Sequence, residues 1–236
     1  MKALNKALPG LCIGIGLIVM GSLLSHGIIT VKDRDRIVTV KGLAEREVKA
    51  DRVIWPLVFK EIGNDMTSIY NAVNKKNEIV CDFLKNNGIN ENEISIAAPQ
   101  IIDMRAERYV NNNEIPYRYN VTSVITVTSN QIDKVRELIS RQVDLLKQGV
   151  AIIDGDYRYT TQYSFTGLND IKPEMIEEAT VAARLAAEKF AKDSDSKLGK
   201  IRRANQGQFV ISNRDENTPY IKEVRVVTTI DYYLKD

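Results

Sequence analysis

Past residue 36 the chain switches back and forth between a two-residue and a helical hydrophobic period. Ile37-Val-Thr-Val-Lys-Gly alternates and predicts a strand ended by Gly42, with extended chain continuing from Arg46 to Ala50. Val53 to Ile62 is rich in β-branched and aromatic residues and predicts a second strand. Pro56 has no N–H, which puts that strand at an edge or a bulge. From Met66 to Asn86 the period becomes helical: Met66, Ile69, Tyr70, Val73, Val80, Phe83 and Leu84 fall on one face. Asn64 or Asp65 can cap its start, and Asn87-Gly88-Ile89 reads as a C-cap with glycine in the left-handed region. Two strands follow, near Glu93 to Met104 and from Tyr117 to Thr128. Tyr117, Tyr119, Val121, Ile125 and Val127 share a face of the second, and Arg105 to Pro116 between them reads as a polar hairpin loop.

A second helix is expected from Gln131 to Lys147, capped by Asn130 and ended by Gly149. Its stripe is Ile132, Val135, Leu138, Ile139, Val143 and Leu146. Val150 to Phe165 reads as a half-buried strand with Tyr157, Tyr159, Thr161, Tyr163 and Phe165 on one side. A third helix is expected from Pro173, a residue suited to the first helical turn, to Asp193. Its face of Ile176, Ala179, Ala182, Ala183, Ala186, Ala187, Phe190 and Ala191 allows close packing. Strands over Ile201 to Ile211 and Tyr220 to Leu234 close the chain. Gly88-Ile89, Gly149-Val150 and the looser Gly199-Lys-Ile201 mark either a repeated helix–strand unit or ordinary capping. The order predicts an α+β fold: antiparallel sheets carrying three amphipathic helices, with no linker inside residues 37–236.

The N-terminus has a different pattern. Behind Lys2 and Lys6, the chain from Ala7 to Val31 holds no Lys, Arg, Asp or Glu, and LCIGIGLIVMGSLL is apolar. At 1.5 Å per residue, about 20 residues cross the hydrocarbon core, and residues 8–29 meet that length. Residues 1–36 are therefore expected to be a membrane anchor or a signal segment. There is no clean small-x-small cleavage site, since Ser22-Leu-Leu and Ser25-His-Gly are poor matches, so an uncleaved anchor is favoured. Charges flanking the segment nearly balance, and the signal-like layout places the C-terminal domain in the periplasm, behind a single inner-membrane span. Secretion to the periplasm after cleavage is the alternative.

Composition narrows the chemistry. Of the 236 residues, 33 are basic and 31 acidic, a net charge of +2, and residues 37–236 alone sum to −1. By net charge the soluble part has no pull toward nucleic acid or anionic lipid. One histidine, His26, and two cysteines, Cys12 and Cys81, leave no Ser-His-Asp triad, His-based metal site, zinc site or disulfide framework. Asp154-Gly-Asp156 pairs two carboxylates, but without further oxygen ligands in calcium-loop spacing it reads as a turn. Glu45, Glu47 and Asp51 alternating with Arg46, Lys49 and Arg52 read as a solvated strand face. Arg202-Arg203 are weak evidence for an acidic partner. Trp55 and Cys81 read as packed, and the sequon Asn120-Val-Thr122 lies inside a strand. No catalytic, cofactor-binding or metal residue is assigned.

The stretch Glu178-Ala-Thr-Val-Ala-Ala-Arg-Leu-Ala-Ala-Glu-Lys-Phe-Ala resembles the SIMPL-domain family, as do Lys197-Leu-Gly-Lys-Ile and Ala204-Asn-Gln-Gly-Gln-Phe. So do the opening Val38-Thr-Val-Lys-Gly-Leu-Ala-Glu-Arg-Glu-Val-Lys-Ala-Asp and the order of the later elements. The resemblance covers about residues 37 to 234. Two departures stand out. Ala50-Asp51 replaces the family's Pro-Asp, and Asp195 stands where glycine is usual, so a left-handed cap there costs more. The resemblance implies a periplasmic or membrane-anchored protein, in some relatives ring-forming or linked to stress tolerance, with no established catalytic residues and no cofactor.

Three functions follow as expectations. The first is a non-enzymatic, anchored, homo-oligomeric envelope protein with a structural or stress-protective role. The second is a binding module for an envelope protein or glycan, and the third an enzyme with an unrecognised carboxylate pair. Expected partners are further copies of the chain, the membrane through residues 8–29, and an envelope protein, but not nucleic acid.

Overall fold

A computed structural model describes residues 13–25, 27–28, 36–106 and 116–235. Residues 13–25 (α1), with 27 and 28, are helical and mostly exposed. Among the described residues no helix is long and apolar enough to cross a membrane. Residues 8–12, 26 and 29 of the expected anchor lie outside the described residues, as does most of the expected hairpin loop, residues 107–115.

The fold is α+β with antiparallel pairing, and the chain divides into two compact units. One comprises Met1–Arg46, Asp170–Val210 and Val224–Asp236, the other Glu47–Asn169 and Ile211–Glu223. The division falls within two long strands, β1 (Ile37–Lys49) and β9 (Ile221–Lys235). They pair with each other and with β7 (Lys197–Gln206) in the order β1-β9-β7, and β8 (Val210–Asn213) also pairs with β9.

The second unit is built on a five-stranded sheet of order β3-β5-β2-β6, with β4 also on β5. Its strands are β2 (Arg52–Gly63), β3 (Ile94–Ile96), β4 (Gln100–Asp103), β5 (Tyr119–Ser129) and β6 (Gln162–Ser164). In the long β2–β5 ladder Trp55 pairs with Val127 and Leu57 with Ile125. Val53, Trp55, Leu57 and Phe59 share a face with period two and are buried. They pack with Ile69, Val73, Val80, Phe83 and Leu84 of α2 (Met66–Asn86), as its periodicity predicts. Asp65 accepts a hydrogen bond from the Ser68 N–H, and Gly88 has φ +83°, so both predicted caps are present.

Pro56 sits where β2 loses its neighbour. The Val58 carbonyl accepts from the Ile153 N–H on the flank away from β5, and Pro56, two residues earlier, points to that same flank. There β6 pairs only with Arg52, Val53 and Ile54, so the missing N–H breaks no ladder bond.

Several local expectations are corrected. The helix expected over 131–147 is two: α3 (Ile132–Ser140) and α4 (Val143–Lys147). Its turns tighten at the join, where the N–H groups of Arg141 and Gln142 reach the carbonyls of Leu138 and Ile139, three residues back. The break re-aims the stripe, so Leu145 is fully buried while Val143 and Leu146 are exposed. Asn130 is not the cap; the N-cap is Gln131, whose own N–H is taken by Ser129 Oγ.

The strand expected over 150–165 shrinks to β6. Asp154 accepts from the Gly155 N–H and Asp156 from the Arg158 N–H, folding a turn and a 3-10 helix at Tyr157–Tyr159. These local side-chain bonds compete with the ladder, and Tyr157 ends 86% exposed.

The third long helix, α5 (Leu168–Asp193), begins five residues before Pro173. Just ahead of it Asp51 accepts from the N–H groups of Thr166 (2.8 Å) and Gly167 (2.9 Å) and from the Thr166 hydroxyl (3.0 Å). A carboxylate distant in sequence satisfies donors at the helix entrance and suits the positive end of the helix dipole. The strand expected over 201–211 is also divided, into β7 and β8.

In the first unit the alanine face of α5 packs on the sheet. Ala183 and Ala187 join Val40, Ile230 and Tyr232 in one buried cluster. Gly42 does not end β1; it is where α5 comes closest. A Cβ there would lie 2.8 Å from Ala183 Cβ and closer still to the Ala179 carbonyl oxygen and the Ala183 amide nitrogen. Asp195 adopts the left-handed conformation expected after α5, with φ 51°.

Candidate functional site

A concavity of the second unit lies between α2 and the β3–β4 edge. Pro99 interrupts that edge, since it can give no N–H to the ladder, and two short strands result. Opposite the break, Met66, Ile69, Tyr70 and Val73 of α2 meet Ile96 and Ile101 around a groove of about 170 Å³. Asn74 and Asn77 supply its polar groups. Ser123, buried in β5, donates to Asn77 Oδ1 at 2.9 Å and fixes that amide. Its lining holds no Asp, Glu, His, Lys or Arg, and the groove can hold an apolar group and offer amide hydrogen bonds. The helical stripe assigned Tyr70 to the core, whereas it is 60% exposed at the rim. Only the broken alternation at Ala97-Ala98-Pro99 signals the groove in the sequence.

A second cluster is aromatic. The Arg136 guanidinium stacks 3.5 Å above the Tyr220 ring, and Tyr163 meets Tyr220 edge-on at 6.1 Å. Burial pushes the Tyr163 phenol up, so it stays protonated.

Several carboxylates of the second unit are tied to cations. Asp156 of the Asp154-Gly-Asp156 turn takes two bonds from Arg158 (2.7 and 3.0 Å), which hold its pKa down to about 2. Asp215 is also down at about 2, through the Thr218 hydroxyl and then Arg214. Arg118 grips Asp103 at 2.9 and 3.0 Å and lowers it in the same way. Lys76 pairs with Glu61, and Lys85 with Glu91 at 2.8 Å. Asp156, Asp215, Asp103 and Glu91 are driven toward the charged form, opposite to the shift a general acid needs. Among the described residues no three His, Cys, Asp or Glu side chains are grouped to hold a metal ion.

The alternating charges of β1 are engaged. Within the first unit Arg46 bridges Glu174 (2.7 Å) and Glu178 (2.5 Å) of α5, and Arg225 meets Glu45 at 3.3 Å. Within the second, Glu47 meets Arg214 at 3.3 Å, Lys49 meets Asp133 at 3.6 Å, and Asp51 holds residues 166 and 167. Arg52 is exposed, and so are Arg202 and Arg203 on β7. Trp55 is core. Cys81 is half-buried against the same core, and burial pushes its thiol up. Asn120, of the sequon, keeps a buried Oδ1 without a hydrogen-bond partner. His26 and Cys12 lie outside the described residues. Sequence reasoning missed Lys222, a buried lysine whose ammonium donates to Asn213 and whose pKa burial lowers.

The profile of the SIMPL family, described as proteins of unknown function (DUF541), matches residues 38–229. No curated protein matches the chain significantly.

Proposed function

Since the chain belongs to the SIMPL family across residues 38–229, we propose that it is a non-enzymatic, membrane-anchored envelope protein that works as a homo-oligomer in a structural or stress-protective role. The observation that carries this reading is the family domain set directly behind an uncharged apolar segment, residues 8–29. That segment holds the chain in the inner membrane as a single span, with the domain in the periplasm. The carboxylates held in the charged form support a role without catalysis. The first unit exposes apolar side chains of the kind that contacts between copies bury, among them Val181, Leu185, Ile201 and Val210. The test is membrane fractionation with alkaline extraction, followed by the mass of the detergent-solubilised chain. Retention after extraction and a mass of several chains support the proposal; release or a single-chain mass refutes the corresponding part.

A second reading, a binding module for an envelope protein or glycan, is favoured by the α2 groove with Tyr70, Ile96 and Ile101 at its rim. It expects a monomer or dimer whose ligand capture is lost when Tyr70→Ala and Ile101→Asn empty and polarise the groove.

A further inference from the structure

The near-zero net charge of the domain hides a strong asymmetry within the first unit. The strands and helix of that unit converge where the chain enters it. The Leu234 N–H donates to the Arg36 carbonyl (2.8 Å), Lys197 pairs with Lys235, and Arg36 donates to Ser196 Oγ (3.1 Å). The helix α5 runs antiparallel to β1. Its Ala179 and Ala183 face Gly42, Ala183 and Ala187 pack near Val40, and its C-terminal end lies beside Arg36. The half of the unit next to residue 36 is therefore residues 36–41, 184–203 and 229–235. These hold ten Lys or Arg and four Asp or Glu. The far half, residues 42–46, 170–183, 204–210 and 224–228, holds three and five. The two halves thus differ in sign.

All ten cations of the near half are exposed. Arg184 and Lys189 pair with Glu188 and Asp193 on α5 itself. Lys41, Lys192, Lys200, Arg202, Arg203 and Lys235 have no carboxylate in ion-pair reach among the described residues. Cations on β7 alone would be the ordinary guard of an edge strand against pairing. The same guard accounts for the cations of β1, the other edge, but not for Lys235 on the central strand β9 or for Arg184, Lys189 and Lys192 in the C-terminal half of α5.

We infer that this end of the unit lies on the anionic headgroup surface of the bilayer that holds residues 8–29. The inference rests on the anchor proposed above. From residue 28 to residue 36 the chain can span at most about 28 Å, which keeps the basic end near the membrane. The surface potential of an anionic leaflet attracts each such cation within about a Debye length, roughly 10 Å. The near-zero net charge of the domain does not remove this attraction, because the field at the surface comes from the near half alone.

The experiment uses the full chain with vesicles of neutral phosphatidylcholine, or with about 30 mol% phosphatidylglycerol added to supply anionic headgroups. Flotation reads association, and hydrogen exchange of the peptides covering residues 192–203 and 229–235 reads contact. The expected result is flotation with both vesicles, with those peptides exchanging at least about threefold more slowly on the anionic ones, reversed by about 0.5 M salt. Lys200→Glu with Arg202→Glu and Arg203→Glu should abolish the difference while far-UV circular dichroism stays unchanged, because all three side chains are exposed. Flotation with both vesicles and equal exchange overturns the inference and leaves the anchor standing. Salt-sensitive flotation with anionic vesicles only overturns the anchor and keeps the basic surface. Flotation with neither overturns both.

Discussion

Gly42→Ala is the sharpest perturbation of the first unit. The added methyl would sit 2.8 Å from Ala183 Cβ and closer to two backbone atoms of α5. Backbone cannot swing aside as a long side chain can, so the whole helix must lift by about 1 Å. Ala179, Ala183 and Ala187 are fully buried, and a gap of that size forfeits a quarter to a half of each dispersion contact they make. Overpacking ordinarily costs about 1–3 kcal/mol, and an obstruction made of backbone belongs at the upper end, about 3 kcal/mol. At about 2–4 °C per kcal/mol for a domain of this size, the melting temperature should fall by about 6–12 °C. Thermal and urea melts followed by far-UV circular dichroism measure this. Leu43→Ala is the control; Leu43 is exposed on the opposite face of β1, and the change should stay within about 0.5 kcal/mol. Equal melting of Gly42→Ala and the unchanged protein would refute the close approach of α5 to β1.

Other perturbations test separate parts of the account. Asp51→Ala removes the acceptor for the Thr166 and Gly167 N–H groups and should cost about 1 kcal/mol in urea unfolding, with added exchange at residues 166–168. The Asp156 carboxyl, depressed from 3.8 to about 2, should titrate near 2 by NMR. A depressed carboxylate adds stability above its ordinary value and loses it as pH falls toward 2, and Arg158→Gln should return the midpoint to the ordinary range. In a Cys12→Ser background, Cys81 should react with a thiol reagent more slowly than a free thiol at pH 8 and normally once unfolded; fast native labelling would contradict its burial. Leu57→Ala, at a fully buried position, should cost about 2–5 kcal/mol.

What the sequence revealed and what it hid follow a physical division. The helix over Met66–Asn86 was legible to its last residue, because its apolar stripe and both caps are local features. The strands β2, β5 and β9 were legible from their local hydrophobic patterns, and β1 was too, except that Gly42 does not end it. The start of α5 was not, because its entrance is held by Asp51, distant in the chain. The 150–165 segment misled through its alternating tyrosines. Hydrogen bonds inside the Asp154–Arg158 turn outweigh that pattern, and no alternation count detects them. The break at Arg141 likewise comes from tightened turns inside an unbroken apolar stripe. The α2 groove depends on which end of a helix faces a broken strand edge, so Tyr70 looked like a core residue. The charge asymmetry needed the pairing of residue 36 with residues 196 and 234 before distant cations could be assigned to one end.

The proposed protein is anchored and acts as several copies. The most direct measurement is light scattering of the full chain, extracted from membranes in mild detergent, with the detergent mass subtracted. The account predicts a protein mass several times the 26.6 kDa of one chain, independent of dilution over a tenfold range. A mass of one chain, or a chain found in the soluble fraction before any detergent is added, would contradict it.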